Sequence, residues 1–194
     1  MSDPANTTRT EIAIVGGGLA GGLIALALRQ ARPELSVHLY EAGPELGGNH
    51  RWSWFDSDLD PAGRSLLAPF RKTRWQGYEV RFPAYRRQLG ACYNSLSSRD
   101  FDLALRRELG QDTIRAGSPV ASLDCGGIVL ADGRRVSART VIDCRDMATG
   151  GDLAGGWQVF MGRHLRTDRP HGLARPVVMD AAVTQHQAYR FVYV

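Results

Sequence analysis

Gly16-Gly17-Gly18-Leu19-Ala20-Gly21 satisfies G-x-G-x-x-G, and it stands between an apolar run, Glu11 to Val15, and a stretch with helical spacing. That placement constrains the fold more than any other feature, because a strand-to-helix turn needs these glycines if it is to hold a diphosphate. Gly16 permits the tight turn, Gly18 lets backbone approach a pyrophosphate, and Gly21 lets helix pack closely on strand. The diphosphate would rest on unpaired N–H groups at the positive end of the helix dipole, in the turn that Leu19 and Ala20 begin.

The surrounding pattern supplies the rest of a βαβ unit. Leu19, Leu23 and Ala27, with Ile24 and Leu28, recur at three- and four-residue spacing, and the helix is expected to stop near Arg32-Pro33. Ser36 to Glu41 reads as the second strand, closing a unit of about thirty residues. Glu41 lies about twenty residues past Gly21, where an acidic side chain would accept hydrogen bonds from the adenosine ribose and repel a 2′-phosphate. FAD or NAD therefore fits better than NADP. Gly47 and Gly48, just beyond, suggest backbone passing close to a ligand. The uncharged run Ile12 to Leu28 approaches the length of a membrane span, but its five glycines occupy turn positions, which argues for the βαβ reading.

Further along, Ala42 to Arg74 reads as loop-rich with a short helix from Gly63 to Phe70. Ser97-Ser98 offers caps to a helix from Arg99 to Leu109, stopped by Gly110. Then come a strand from Pro119 to Asp124, a hairpin from Ile128 to Val136 turning on Asp132-Gly133, and a strand from Arg139 to Asp143. Gly156 to Val194 reads as β-rich, ending in a half-buried strand that alternates Tyr189, Phe191 and Tyr193 with Arg190, Val192 and Val194. The expectation is an α/β, Rossmann-like FAD/NAD(P)-binding domain of the glutathione-reductase type over 1–150, with an inserted loop region at about 42–95. Residues 151–194 would begin a β-rich substrate domain.

At 194 residues with 43% hydrophobic and 23% charged, the chain fits a folded α/β protein. Its net charge of +4 comes from 24 basic residues, all arginine except Lys72, so the bias says little about nucleic acid. Arg71-Lys72-Thr73-Arg74 and Arg163-His164-Leu165-Arg166 read as solvated faces, or as contacts to anionic lipid headgroups. Cys92, Cys125 and Cys144 are odd in number and unpaired in spacing, as in a reduced, cytosolic protein. Met1 to Thr10 lacks the features of a secretory signal. No metal spacing, serine–histidine–acid order or nucleic-acid motif is present.

Several segments together resemble the N-terminal half of the bacterial lycopene β-cyclases. They are Ile14 to Ala20, Tyr40 to Pro44, Gly48-Asn49-His50 with Trp52-Ser53, Arg81-Phe82-Pro83, Thr140 to Asp143, Pro170 to Leu173, Met179-Asp180-Ala181 and Tyr189 to Tyr193. The resemblance runs from about Glu11 to the last residue. It implies an enzyme that closes β-ionone rings on lycopene, giving γ-carotene and β-carotene, with reduced FAD and with NADPH as electron source. The chemistry implied is acid-initiated carbocation cyclisation without net redox change, in a cavity kept dry so that water does not quench the cation. A polyene substrate implies peripheral attachment at the inner face of a membrane. In this family Val-Ile-Asp continues with glycines, whereas here Cys144 and Asp146 follow. The resemblance places the main catalytic acid beyond residue 194.

Within the chain, Asp143 and Asp180 are the candidate acids, although strand-end aspartates also cap turns. His50 and His171 lie in glycine-containing loops, and Trp52, Trp54, Phe55 and Trp75 could line a polyene tunnel or fill a core. Two other readings remain open: an FAD-dependent monooxygenase or oxidoreductase sharing the glycine loop, and an inactive nucleotide-binding remnant.

Overall fold

β1 (Thr7–Val15), α1 (Leu19–Ala31) and β2 (Val37–Tyr40) follow in the order that the glycine loop requires, in a computed structural model that describes residues 7–146 and 161–194. β1 pairs in parallel with β2 on one side and with β11 (Arg135–Asp143) on the other, from Thr7–Arg135 to Val15–Asp143. β8 (Ile114–Arg115) joins β2 in parallel, and β10 (Gly127–Leu130) and β9 (Val120–Asp124) extend the other edge antiparallel. The resulting order, β8-β2-β1-β11-β10-β9, is an α/β Rossmann-like sheet.

β1 feeds two cores. Ile14 packs with Ala25 and Leu26 of α1 and with Phe101 and Leu105 of α3 (Ser98–Leu109), while Ala13 and Val15 face Ile128, Leu130, Val136 and Ala138. Cover on both faces is why Ile12 to Val15 is an unbroken apolar run rather than an alternating one. α3 begins where its hydroxyls predict: Ser97 Oγ accepts the Asp100 N–H at 3.1 Å, and Gly110, at φ +74°, ends it.

The stretch expected to be loop-rich is more ordered than that. β3 (Arg51–Phe55) pairs antiparallel with β7 (Tyr93–Ser97), and β4 (Thr73–Trp75) lies on the other side of β7. Its partner is remote in sequence, so β3 has no hairpin signal of its own. The short helix also starts earlier, as α2 (Pro61–Leu66), because Asp60 Oδ1 accepts the Gly63 N–H at 2.7 Å and Pro61 occupies the first helical position. The expected hairpin arm and the Arg139 strand are one continuous strand, β11.

Contacts divide the chain into two compact units, 1–74 with 92–145, and 75–91 with 146–194. Whereas the sequence suggested a cut near 150 and an insertion over 42–95, the hairpin of β5 (Tyr78–Phe82) and β6 (Tyr85–Leu89) groups with the C-terminal residues. The reason is β12 (Val177–Asp180), which pairs in parallel with β5.

The expectation that 156–194 is β-rich is corrected: β12 is the one named strand among its described residues, and 156–160 lie outside them. The terminal segment is not a continuous strand, since it reaches β12 only at two points, Val192 with Asp180 and Val194 with Val177. The register of β12 against β5 shifts between Val177 and Asp180, and Met179 there adopts φ +64°. An irregularity of this kind breaks the ladder that a continuous partner strand would need.

Candidate functional site

The glycine loop is held by its own backbone and by one carboxylate. Gly16, at φ +101°, donates its N–H to Tyr40 O at 2.8 Å, and a Cβ there would lie 2.9 Å from the Cys144 carbonyl carbon. A side chain at Gly21 would stand 2.0 Å from Gly16 O, so α1 can begin this close to the turn only with glycine. Gly18 is different. It ends the loop with no side-chain cap on α1, its φ of −70° is ordinary, and a Cβ there would have no atom within 4 Å. Open space over uncapped helical N–H groups is what a diphosphate needs. Leu19 is half-buried and Ala20 exposed in the turn that follows.

Glu41, just past β2, bonds the glycine loop through one oxygen and its own turn through the other. Gly17 N–H donates to Oε2 and Gly43 N–H to Oε1, each at 2.8 Å. Each oxygen retains a further lone pair for a ribose hydroxyl. Gly47, at φ +79°, donates its N–H to Gly17 O at 2.8 Å and faces Trp52, Phe101 and Ser98, so this glycine serves loop and core packing. Gly48 is exposed at φ +56°. The structure thus brings Gly16, Gly17, Gly21, Glu41 and Gly47 into one bonded or closely packed assembly around the open side of Gly18.

Sequence reasoning missed three supports. Gly22 is one: a Cβ would sit 2.5 Å from Phe101 and 2.6 Å from Leu105, so it lets α1 meet α3. The doubled glycine, Gly21-Gly22, was its visible signal. Buried Leu46 fills the space above Gly17, and its N–H donates to Asp102 Oδ1 at 2.8 Å. Arg106 then ties Asp102 Oδ2 (2.9 Å) and Pro44 O (2.8 Å) together, fastening the 42–48 loop to α3. Pairs so far apart in the chain leave no local pattern.

Cys144 is half-buried and packs against the core on the α1 and α3 side, and burial pushes its thiol pKa up. Its N–H donates to Val15 O at 2.7 Å, so backbone rather than side chain approaches the glycine loop here. Asp146 is exposed.

The two candidate acids belong to different units, and each is tied within its own. Asp143 accepts Arg145 Nε at 2.8 Å and Nη2 at 2.9 Å, and this pairing holds its carboxyl below the usual range. A carboxylate kept ionised in this way is poorly suited to deliver a proton. Asp180 is half-buried, accepts the Ala182 N–H at 3.1 Å and lies 3.4 Å from Arg81 Nη1. Arg81 and Arg86 both bind Glu79, whose pKa falls from 4.5 to about 2 through those hydrogen bonds. Of the histidines, exposed His50 stacks on Trp52 and exposed His171 accepts the Leu173 N–H at 3.1 Å. Trp52 and Trp54 pack against the main core, with Trp52 set edge-on to Phe101 at 5.0 Å.

Sheet order, glycine loop and strand-end carboxylate define the class: an α/β protein with a Rossmann-like dinucleotide-binding fold. A solved structure with the same fold, a probable FAD-dependent monooxygenase from Pseudomonas aeruginosa, aligns with a TM-score of 0.52 at 16% identity, over 69% of this chain and 42% of its own. The family model "Lycopene cyclase protein" matches residues 11–194. Lycopene beta-cyclases of Pseudescherichia vulneris and Pantoea ananas are 44% and 40% identical over 94% of this chain. The chain belongs to the lycopene cyclase family. It spans about half the length of these curated relatives, 47% and 48%.

Proposed function

We propose that this chain is the nucleotide-binding half of a lycopene β-cyclase, an intramolecular lyase of carotenoid biosynthesis that converts lycopene to γ-carotene and β-carotene. The observation that carries the reading is 44% identity to a lycopene beta-cyclase over 94% of the chain. The cofactor is FAD in its reduced form, with NADPH as electron source. The residues suit its adenosine diphosphate part: Gly18 leaves room over uncapped N–H groups, and Glu41 keeps acceptor capacity toward a ribose. Gly16, Gly17, Leu19, Ala20, Gly21, Gly47 and Gly48 complete the cradle. Bound there, reduced flavin supplies an electron-rich face beside a developing cation.

In the reaction, a proton added to a terminal double bond of lycopene gives a cation, a neighbouring alkene closes the ring, and loss of a proton ends the sequence without net redox change. Asp143, locked to Arg145, is not suited to be the acid, and Asp180 is the chain's remaining candidate. The proton donor is assigned to the part of the cyclase that lies beyond Val194 in its relatives. Among the described residues no helix is long and apolar enough to cross a membrane. It is the polyene substrate, held in a membrane, that leads the reading to place the protein peripherally at that membrane's cytoplasmic face.

Two measurements test this. The chain, alone and continued by the second half of a relative, is expressed in a lycopene-accumulating host. Ring closure by the continued chain supports the reading, and unchanged lycopene there overturns it. Separately, Gly18→Val should abolish flavin absorbance after gel filtration while keeping the circular dichroism of the wild type, since a Cβ there would meet no atom within 4 Å. Equal flavin in the two proteins would remove Gly18 from the site.

A further inference from the structure

Arg74, Arg106, Arg135 and Arg145 in the larger unit each pair with a neighbouring carboxylate, Asp56, Asp102, Asp124 and Asp143 in turn. Around one groove the basic side chains have no such pair. Arg71, Lys72, Thr73, Arg99, Asp100 and Leu103 line an open groove of about 430 Å³ beside the start of α3. Arg71 and Arg99 are exposed, and neither makes a side-chain hydrogen bond or ion pair. Lys72 donates only a long bond, 3.4 Å, to Leu67 O and keeps two protons free. The one carboxylate present, Asp100, already accepts the Ser97 hydroxyl. Three cations against one carboxylate leave the groove net positive.

Arg99 joins Arg71 and Lys72 only in the fold, so the sequence cluster at 71–74 shows part of the patch. Leu103 lies one turn after Arg99 on the same helical face, off the buried stripe of Phe101, Ala104, Leu105 and Leu109, and it is 57% exposed. Cations with an uncovered leucine among them match a surface where charge lies beside hydrocarbon. Guanidinium groups pair with phosphate through two parallel hydrogen bonds, and an apolar side chain next to them enters the headgroup layer. A phosphate free in solution would use the cations and give Leu103 nothing.

We propose that the groove formed by Arg71, Lys72, Arg99 and Leu103 is a binding site for the phosphate headgroups of anionic lipid. The assignment rests on the groove and not on cyclase activity, so it stands or falls separately from the function proposed above.

The test is flotation of the chain with phosphatidylcholine vesicles, with and without phosphatidylglycerol. Wild type should float with the anionic vesicles and stay behind with the neutral ones. Replacing Arg71, Lys72 and Arg99 together by Gln should weaken binding about a hundredfold, at roughly fivefold per cation. Arg99→Gln alone touches no partner and should cost about fivefold, with unchanged circular dichroism and thermal unfolding. Leu103→Ser should weaken binding at every salt concentration, whereas added salt should spare the Gln variants more than wild type. A control replaces Arg163, Arg166 and Arg169, an equally exposed basic stretch, by Gln and should bind as wild type does. The proposal is overturned by equal flotation with neutral vesicles, by a control that loses binding while the groove variant keeps it, or by release with millimolar inorganic phosphate or NADPH. That last result would assign the site to a soluble phosphate.

Discussion

The two compact units are built on different physics. Residues 1–74 with 92–145 cohere by burial: Ile14, Leu26, Leu39, Leu46, Phe101, Leu105 and Ile128 are all at most 1% exposed. In the unit of 75–91 with 146–194, Val177 and Ala181 are the buried apolar side chains among the described residues. Its sheet of β12, β5 and β6 is laced instead by charge, with Arg81 bound to Glu79 and Asp180 and Arg86 bound to Glu79. Burial contributes in proportion to the area removed from water, whereas these ion pairs, with Glu79 4% exposed and its arginine partners more open to solvent, depend on pH and salt. The larger unit should therefore behave as a rigid cradle, and the smaller as a structure that responds to its surroundings.

Cutting into each core is the strongest way to break this contrast. Phe101 touches Trp52 and Phe70 and faces Gly22, so Phe101→Ala should cost about 3 to 5 kcal/mol in chemical denaturation. Val177→Ala should cost only about 1 to 2 kcal/mol, read as local hydrogen exchange in 75–91. Equal damage from the two would mean that the units share one cooperative core.

Next in size is the carboxylate at the mouth of the cradle. Glu41→Ala strands the Gly17 and Gly43 amides and should cost about 1 to 3 kcal/mol, with loss of flavin retention. Loss of flavin without loss of stability would show that water replaces both bonds.

The smallest effect is acid sensitivity. Glu79 has its pKa lowered from 4.5 to about 2, so the stability it gives is present above the unfolded value and fades as pH falls from 4.5 toward 2. Exchange protection in β5 and β6 should fall across that window while protection in β1 and β11 holds. Glu79→Gln should flatten the dependence. A pH profile in β5 that Glu79→Gln leaves unchanged would transfer the sensitivity to another group.

The legible parts of the molecule are those where cause and effect lie within one turn, one hairpin or one βαβ unit. The Ser97 cap, the Gly110 stop and the Asp132-Gly133 turn act on near neighbours, and the glycine loop and Glu41 meet across a single βαβ unit whose spacing is written in the sequence. What stayed hidden depends on distant pairs: β3 against β7, Gly22 against Phe101, Leu46 against Asp102. The terminal aromatic alternation misled because an alternating pattern states which side would be buried, not whether a partner strand is in register. At 177–180 the chain breaks that register. The site divides the same way, its glycine turn readable and the fastening of 42–48 to α3 unreadable.

The pairing of β1 with β11 also governs how the protein can come into being. β1 is made long before the neighbour that shields its whole length, residues 135–143. On the ribosome, β1 and β2 must wait with one edge bare while everything between is synthesised, and such edges invite other chains. Chaperone demand should therefore fall on nascent chains shorter than about residue 135 and ease once Asp143 has emerged.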